Sequence, residues 1–423
     1  EVIQHCVRSA NKKLQSGWQM TTNEIALSYP ATYTSAQRQR LIELAEKASL
    51  ADGTQVHVSG TIAEPAAAGL DYLSRFGSDK ETTVLVYDLG GGTFDLALVA
   101  LYPKGRTNGD GDYYYDILAV DGLEDVGGGE FDEIMYQLIE QKLQVPLNPS
   151  HKAALRAEAE KIKKDLTFDA YADAEVLYNN EYLTVRVTRG EFETASRELL
   201  MRTIEATKKM FERHSNQKPE TIILTGGASQ MPMVKRALEE AFPEYKGDEM
   251  KHKEDKIQIS NPSRAIADGA ARYGTAEAMN DIAEKAEAAS VVQTRVGYDL
   301  GIRFYHSVDD ESGYISTYIP AGTPIPYQAA YQNSTTLHED QRYSGFTVYE
   351  ANKAHPDSEQ VAEDYTEIMK VSLDHGREVP KGTRNESRLC IDKLGVLTIE
   401  AREADHPEKP IKSTVELKNL SKS

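Results

Sequence analysis

The chain has 423 residues, beyond the roughly 250–300 at which one hydrophobic core stops growing, so it is not a single small module and two or three domains are predicted. Hydrophobic residues make up 40% and charged residues 27%, the composition of a globular rather than a disordered protein. Lys+Arg 48 against Asp+Glu 67 leaves a net charge of −19, which repels a phosphate backbone and argues against a nucleic-acid partner. No apolar run reaches the ~18 residues of a membrane span and no signal-peptide plan opens the chain. The expectation is therefore a cytoplasmic protein with no membrane partner. Cys6 and Cys390 lie far apart with no metal-ligand or redox spacing. The chain opens at Glu1 inside a helical pattern (Val2, Ile3, Cys6, Val7, Leu14) and reads as a fragment.

In chain order, strand-like runs fall at 24–28, 54–58, 82–89, 93–101, 113–120, 182–187 and 221–225. Helical patterns fall at 35–50, 64–74, 131–143, 152–166, 191–211, 231–241 and 263–288. Alternation of this kind builds α/β layers. Over 191–211, Phe192, Ala195, Leu199, Thr203, Ala206 and Met210 predict one stripe on one helix, and that stripe is core. After about residue 290 only short alternating runs remain, at 314–319, 346–349, 388–391 and 397–401, separated by Gly, Pro, Asn and Asp clusters. An all-β second domain is predicted, with a small polar boundary at 288–294.

Two strand patterns meet at Asp88-Leu89-Gly90-Gly91-Gly92-Thr93-Phe94-Asp95. Successive glycines permit a tight turn with amides aimed at an anion, and two aspartates flanking the turn can hold a hydrated Mg²⁺ beside phosphates, with the Thr93 hydroxyl nearby. The competing reading is a plain hairpin with acidic flanks. Gly127, Gly128 and Gly129 enter one helix, and Gly226 and Gly227 precede Ala228, Gln230 and another helix. Glycine before a helix N-terminus suits phosphate or ribose oxygens. No G-x-G-x-x-G follows a strand, and no G-x-x-x-x-G-K-[ST] is present. On the helix over 152–166, Glu160, Lys163, Lys164 and Thr167 share a face opposite Leu155, Ile162 and Leu166, leaving a polar side for a ligand or for an ordinary Glu-to-Lys pair.

Taken in order, these segments resemble the 70-kDa heat-shock (DnaK-type) chaperones. Ser28 to Ala31 with Gln37 to Gln39, Ala63 to Ala68, Tyr87 to Leu96, Gly128 to Asp132, Glu160 to Thr167, Leu224 to Pro232 and Asn261 to Ala271 each resemble a motif of that family. Asp299 to Ile302, Ile319 to Pro326, Phe346 to Glu350 and Ile391 to Glu403 resemble its peptide-binding part. The resemblance implies an actin-like (ribonuclease H-like) α/β ATPase domain over 1–288, a linker over 289–295 and an all-β sandwich that binds peptide over 296–423. It implies ATP or ADP with Mg²⁺ as cofactors, unfolded or extended peptides as partners, and J-domain and nucleotide-exchange co-chaperones.

By the same resemblance, Asp88 and Asp95 hold Mg²⁺ through water, Gly90 to Thr93 hold phosphates, and Glu64 serves the water network. Gly127 to Gly129, Glu160, Lys163, Lys164, Thr167, Gly226, Gly227, Ala228, Gln230 and Ser263 hold the rest of the nucleotide, while Pro30 and Arg38 relay its state. The family's first phosphate motif and catalytic lysine would lie upstream of Glu1, so this segment alone is expected to turn ATP over poorly. Ala228, Gln230 and Ser263 replace the family's Ser, Arg and Asp, which predicts weaker nucleotide binding. The linker keeps two aliphatic residues where the family is leucine-rich. Ser344 stands where a small aliphatic lines the peptide pocket, beside an apolar Ile315, and no lid pattern follows the β region. Two other readings are a nucleotide-binding scaffold or peptide-binding module with degenerate ATPase, and an actin-fold metabolite kinase.

Overall fold

The computed structural model describes residues 1–77, 80–103, 113–178, 181–248, 254–260, 264–282, 291–310, 312–351 and 364–414. Helix α1 (Val2–Trp18) seats Val7 on Ala48, Leu50 and Val56. Strands β1 (Glu24–Tyr29) and β2 (His57–Ala63) pair in parallel. Between them α2 (Ser35–Glu46) starts at a capping box, in which Thr34 and Gln37 each bond the other's backbone amide. The strand expected over 54–58 instead starts at His57 and runs to Ala63. From Val58 onward every residue of β2 is buried, so its Ser59, Gly60 and Thr61 give no apolar alternation to read. Helix α3 (Glu64–Phe76) follows directly, with Pro65 in its first turn.

The first layer is a seven-stranded sheet. Strands β3 (Thr82–Leu89), β4 (Phe94–Pro103) and β5 (Tyr113–Leu123) form an antiparallel meander, and β8 (Thr221–Thr225) and β9 (Ile257–Ile259) extend it in parallel beyond β3. On β3, Leu85, Tyr87 and Leu89 join one buried cluster with α4 (Gly128–Leu143), α5 (Pro149–Phe168) and α8 (Pro232–Ala241), while Val84 and Val86 join another with α3 and α9 (Ala265–Ile282). The two-residue strand period therefore assigns Asp88 to the α3 face.

The helix expected over 191–211 is broken. A capping box at Thr188 and Glu191 starts α6 (Arg189–Ala195), and the chain restarts at Arg197 as α7 (Arg197–Arg213). The break turns the buried face, so Leu200, Thr203, Ile204, Thr207 and Met210 are buried while Ala195 is exposed. Only part of the expected stripe is core. Strand β6 (Tyr171–Tyr178), which pairs with β7 (Glu181–Thr188), has no counterpart among the sequence expectations, because its inward side is mostly alanine (Ala172, Ala174, Val176).

From residue 291 on, the named elements are all strands. β10 (Val291–Arg295) docks in parallel on β5, and β13 (Pro324–Ile325) pairs with β10, so both enlarge the seven-stranded sheet. β11 (Leu300–Phe304), β12 (Tyr314–Ile319), β16 (Gln341–Ala351) and β17 (Tyr365–Val379) form one antiparallel sheet. β14 (Tyr327–Gln328), β15 (Gln332–Thr335), β18 (Arg384–Ile391), β19 (Leu397–Glu403) and β20 (Ile411–Thr414) form another. One cluster joins the two, with Ile302, Phe346 and Val348 from the first and Leu389, Ile391 and Ile399 from the second.

Candidate functional site

Strand register brings the paired aspartates together. Asp88 lies directly opposite Asp95 across β3 and β4, and directly opposed residues share a face. The Gly90 amide donates to the Thr93 carbonyl at 3.0 Å and closes the turn. Glu64, first residue of α3, is near enough to act electrostatically on Asp88 and to feel Asp95. Asp95 is held by Thr93 Oγ1, which donates to Oδ2 at 2.6 Å, and by the Ala31 amide, which donates to Oδ1 at 2.7 Å. Neither the Glu64 nor the Asp88 side chain has a hydrogen-bond or ion-pair partner among the described residues.

Burial, with the charges of Asp95 and Glu64 added, pushes the Asp88 carboxyl up to about 7. Burial and then Asp95 push Glu64 up to about 7 as well. Burial also raises Asp95, outweighing its hydrogen bonds from Thr93, Ala31 and Thr32. A carboxyl raised on folding contributes stability below its ordinary range and loses it as pH climbs through the folded value. In chelator, the wild-type melting temperature is therefore expected to fall between about pH 5 and about pH 8 more steeply than that of a Glu64→Gln, Asp88→Asn variant. Parallel slopes would show that these groups are not the cause.

The donor set suits a hydrated divalent cation, with hard oxygens that no cationic side chain among the described residues pairs. The buried Thr225 Oγ1, on the register partner of Asp88, has no hydrogen-bond partner among the described residues and adds an orphaned polar atom at the same strand ends. Among the described residues, no three His, Cys, Asp or Glu side chains are arranged to hold a metal ion directly.

Beside the turn lies a cleft of about 520 Å³. Gly90 and Gly91 form one wall, Gly128, Gly129 and Asp132 of α4 the next, and Glu160, Lys163, Lys164, Thr167 and Phe168 of α5 the third. Gly227, Ala228, Gln230 and Met231 close it. Segments more than 130 positions apart in the numbering thus converge on one space. Gly92, Thr93, Gly127 and Gly226 adjoin the cleft without lining it, Glu64, Asp88 and Asp95 sit apart as the carboxylate group, and Ser263 lies outside the described residues.

Two glycines are required by space. Gly226 has φ +80°, and a Cβ there would collide with Asp88 Oδ1. A Cβ at Gly127 would come within 2.8 Å of the Gly92 Cα and the Thr93 nitrogen. Other expectations change. The Gly128 and Gly129 amides donate to the Gly90 and Gly91 carbonyls at 2.9 and 2.8 Å, so the glycine turn caps α4 and these amides are not offered to an anion. The amides of Gly91, Gly92 and Thr93 have no acceptor among the described residues and remain available.

Lys163 is not on a free polar face. It is buried, donates to the Gly128 carbonyl at 2.8 Å and pairs with Asp132 at 2.7 Å, clamping α5 to the start of α4. Lys164 and Glu160 form the ordinary i,i+4 pair at 2.5 Å. Sequence reasoning missed Ser229, whose buried Oγ accepts from the Leu89 amide at 3.0 Å and ties the end of β3 to the turn after β8. It also missed Phe168, which lines the cleft, and it placed Ala31 in a motif without its bond to Asp95. Ser344 is buried, and its hydroxyl meets His375 Nε2 and Asn385 Nδ2, each at 3.0 Å. That oxygen is engaged between the two β sheets.

The molecule is thus a mixed α/β protein continued by an all-β region, with its glycine turns gathered around one cleft. Residues 1–422 match the family model described as Hsp70 protein, and the chain belongs to the Hsp70 family. That family consists of ATP-binding, ATP-hydrolysing chaperones that bind unfolded peptides and work with co-chaperones, and a chaperone-type function in general follows from membership. No helix among the described residues is long and apolar enough to cross a membrane.

Proposed function

We propose that this chain is the nucleotide-handling and peptide-binding part of an ATP-dependent chaperone, in which the nucleotide state sets the grip on extended peptide segments. The observation that carries the reading is the convergence of the glycine turns and α5 on one cleft beside an uncompensated carboxylate group. An actin-like ATPase domain over 1–288, a linker over 289–295 and a peptide-binding β-sandwich over 296–423 are the domains this reading uses. A hydrated Mg²⁺ when bound supplies positive charge to the phosphates. Asp88 and Asp95 would hold its waters, and the Gly91, Gly92 and Thr93 amides would receive phosphate oxygens. Glu64, pushed up to about 7, is suited to accept a proton from water near neutral pH.

A continuous route supports coupling between the sites. Asp95 holds the Ala31 amide, which lies just before α2. From α2, the Ser35 amide donates to Glu350 at 3.0 Å and Arg38 pairs with Glu350 at 3.9 Å, with both side chains buried. Glu350 belongs to β16. Thr61 adds a bond to the Leu394 carbonyl at 2.9 Å.

The linker strand β10, poor in aliphatics, is fastened by charge. Arg295 donates to both oxygens of the nearly buried Asp116 at 2.7 and 2.5 Å and to the Gly322 carbonyl at 3.0 Å. Arg295→Ala is expected to lower hydrogen-exchange protection of β10 about tenfold or more, because a buried carboxylate loses a bidentate partner. Unchanged protection would mean that strand pairing alone docks the linker.

The deciding experiment is the melting temperature of the full-length protein with Mg-ATP and Mg-ADP, followed by peptide-stimulated ATP turnover. Mg²⁺-dependent shifts with stimulated turnover are expected. No shift at millimolar nucleotide would overturn the nucleotide reading, and shifts without turnover would favour the scaffold.

A further inference from the structure

Phe168 ends α5 with its ring 79% exposed on the wall of the 520 Å³ cleft. A lone exposed aromatic is ordinary; its place in the cleft is what counts. Both cationic side chains in the lining are paired with other lining groups, Lys163 buried against Asp132 and the Gly128 carbonyl, Lys164 with Glu160 in an exposed pair. Among the described residues, no arginine lines the cleft. A planar base entering here meets no guanidinium among the described lining residues, and the aromatic surface it finds is Phe168, beside the buried Ala228 and Met231.

Two polar groups of the lining are only weakly engaged. The exposed Gln230 amide makes only a long contact of 3.5 Å to the Gly227 carbonyl, and Thr167 Oγ1 a contact of 3.5 Å to the Lys163 carbonyl. An amide presents a donor and an acceptor and can turn to match either the amino or the oxo pattern of a purine edge.

We propose that Phe168 is the base-stacking platform of the cleft, and that the site selects a purine ring by its π-face with little discrimination between adenine and guanine. This rests on the nucleotide reading above. Stacking of a base on an aromatic ring is tolerant of base identity and strong enough to govern affinity.

The test is titration of the full chain with Mg-ADP, Mg-GDP, Mg-CDP and Mg-tripolyphosphate, for wild type, Phe168→Ala and Phe168→Trp. ADP and GDP are expected to bind within about threefold of each other and CDP more weakly, by the larger π-surface of a purine. Phe168→Ala should weaken ADP and GDP about tenfold or more while leaving tripolyphosphate unchanged, and Phe168→Trp should retain affinity with its indole emission quenched on binding. ADP binding indifferent to Phe168→Ala, or a Phe168→Trp emission blind to nucleotide, would overturn the stacking proposal alone. Wild type that binds none of the four probes would overturn the nucleotide reading and this inference with it. A preference for ADP over GDP beyond about 30-fold would overturn the purine-tolerant part, since an adaptable amide edge cannot supply it.

Discussion

Asp88→Asn is expected to abolish the Mg²⁺-dependent stabilisation by nucleotide and to raise the melting temperature of the ligand-free protein. Both effects have one cause. Asp88 is buried, faces Asp95 across the β3–β4 register and is pushed up to about 7, so its ionised form is opposed by burial and by its neighbours. Holding such a carboxylate charged at pH 8 costs about 2–4 kcal/mol, from the size of a shift of this kind. Asparagine keeps the shape and removes that cost. On the proposed reading it also removes a negative charge from the carboxylates that would hold the cation's waters, an effect of about 100-fold or more on Mg-nucleotide affinity. Thermal melts with chelator, Mg²⁺, and Mg-ADP test both halves. A lower ligand-free melting temperature would show that Asp88 is structural, and a retained shift would move the cation elsewhere.

Arg38→Met should separate the all-β region from the α/β domain, whereas Arg38→Met with Glu350→Leu should not. Arg38 and Glu350 are side chains of 10% and 5% exposure meeting across the two parts of the chain. Gly395, with φ +77°, leaves room for the guanidinium. Removing one partner strands a buried carboxylate and costs about 3–5 kcal/mol, while an apolar pair of similar volume is close to neutral. The Ser35 amide and hydroxyl remain on Glu350 but cannot balance its charge. Small-angle scattering should show a larger radius of gyration for the single variant and a wild-type value for the double one. Nucleotide-dependent peptide release should be lost in the single variant. A compact single variant would show that the pair does not hold the domains together.

Much of this arrangement could be read from residue order. Two strand patterns meeting at a glycine turn were legible, and β3 and β4 pair antiparallel there, because glycine's freedom and the flanking β-rich runs are local properties. Where burial depended on distant partners, the reading failed. The stripe over 191–211 ignored the break at Ser196, and β6 was hidden by its alanines. On α5, helix geometry put Lys163 on a polar face, yet the start of α4 comes close enough to bury it against Asp132.

By itself the sequence determined the family and the α/β pattern followed by β strands, since these rest on local conformation and on residue types in order. Only the tertiary structure decided which polar groups are free. Capping of α4 by Gly90 and Gly91, the engaged hydroxyl of Ser344 and the charged fastening of β10 each depend on an atom far away in the chain. A hydrogen bond or ion pair needs its partner within a few ångströms, and that proximity is made by packing and strand register, to which one-dimensional order gives no access.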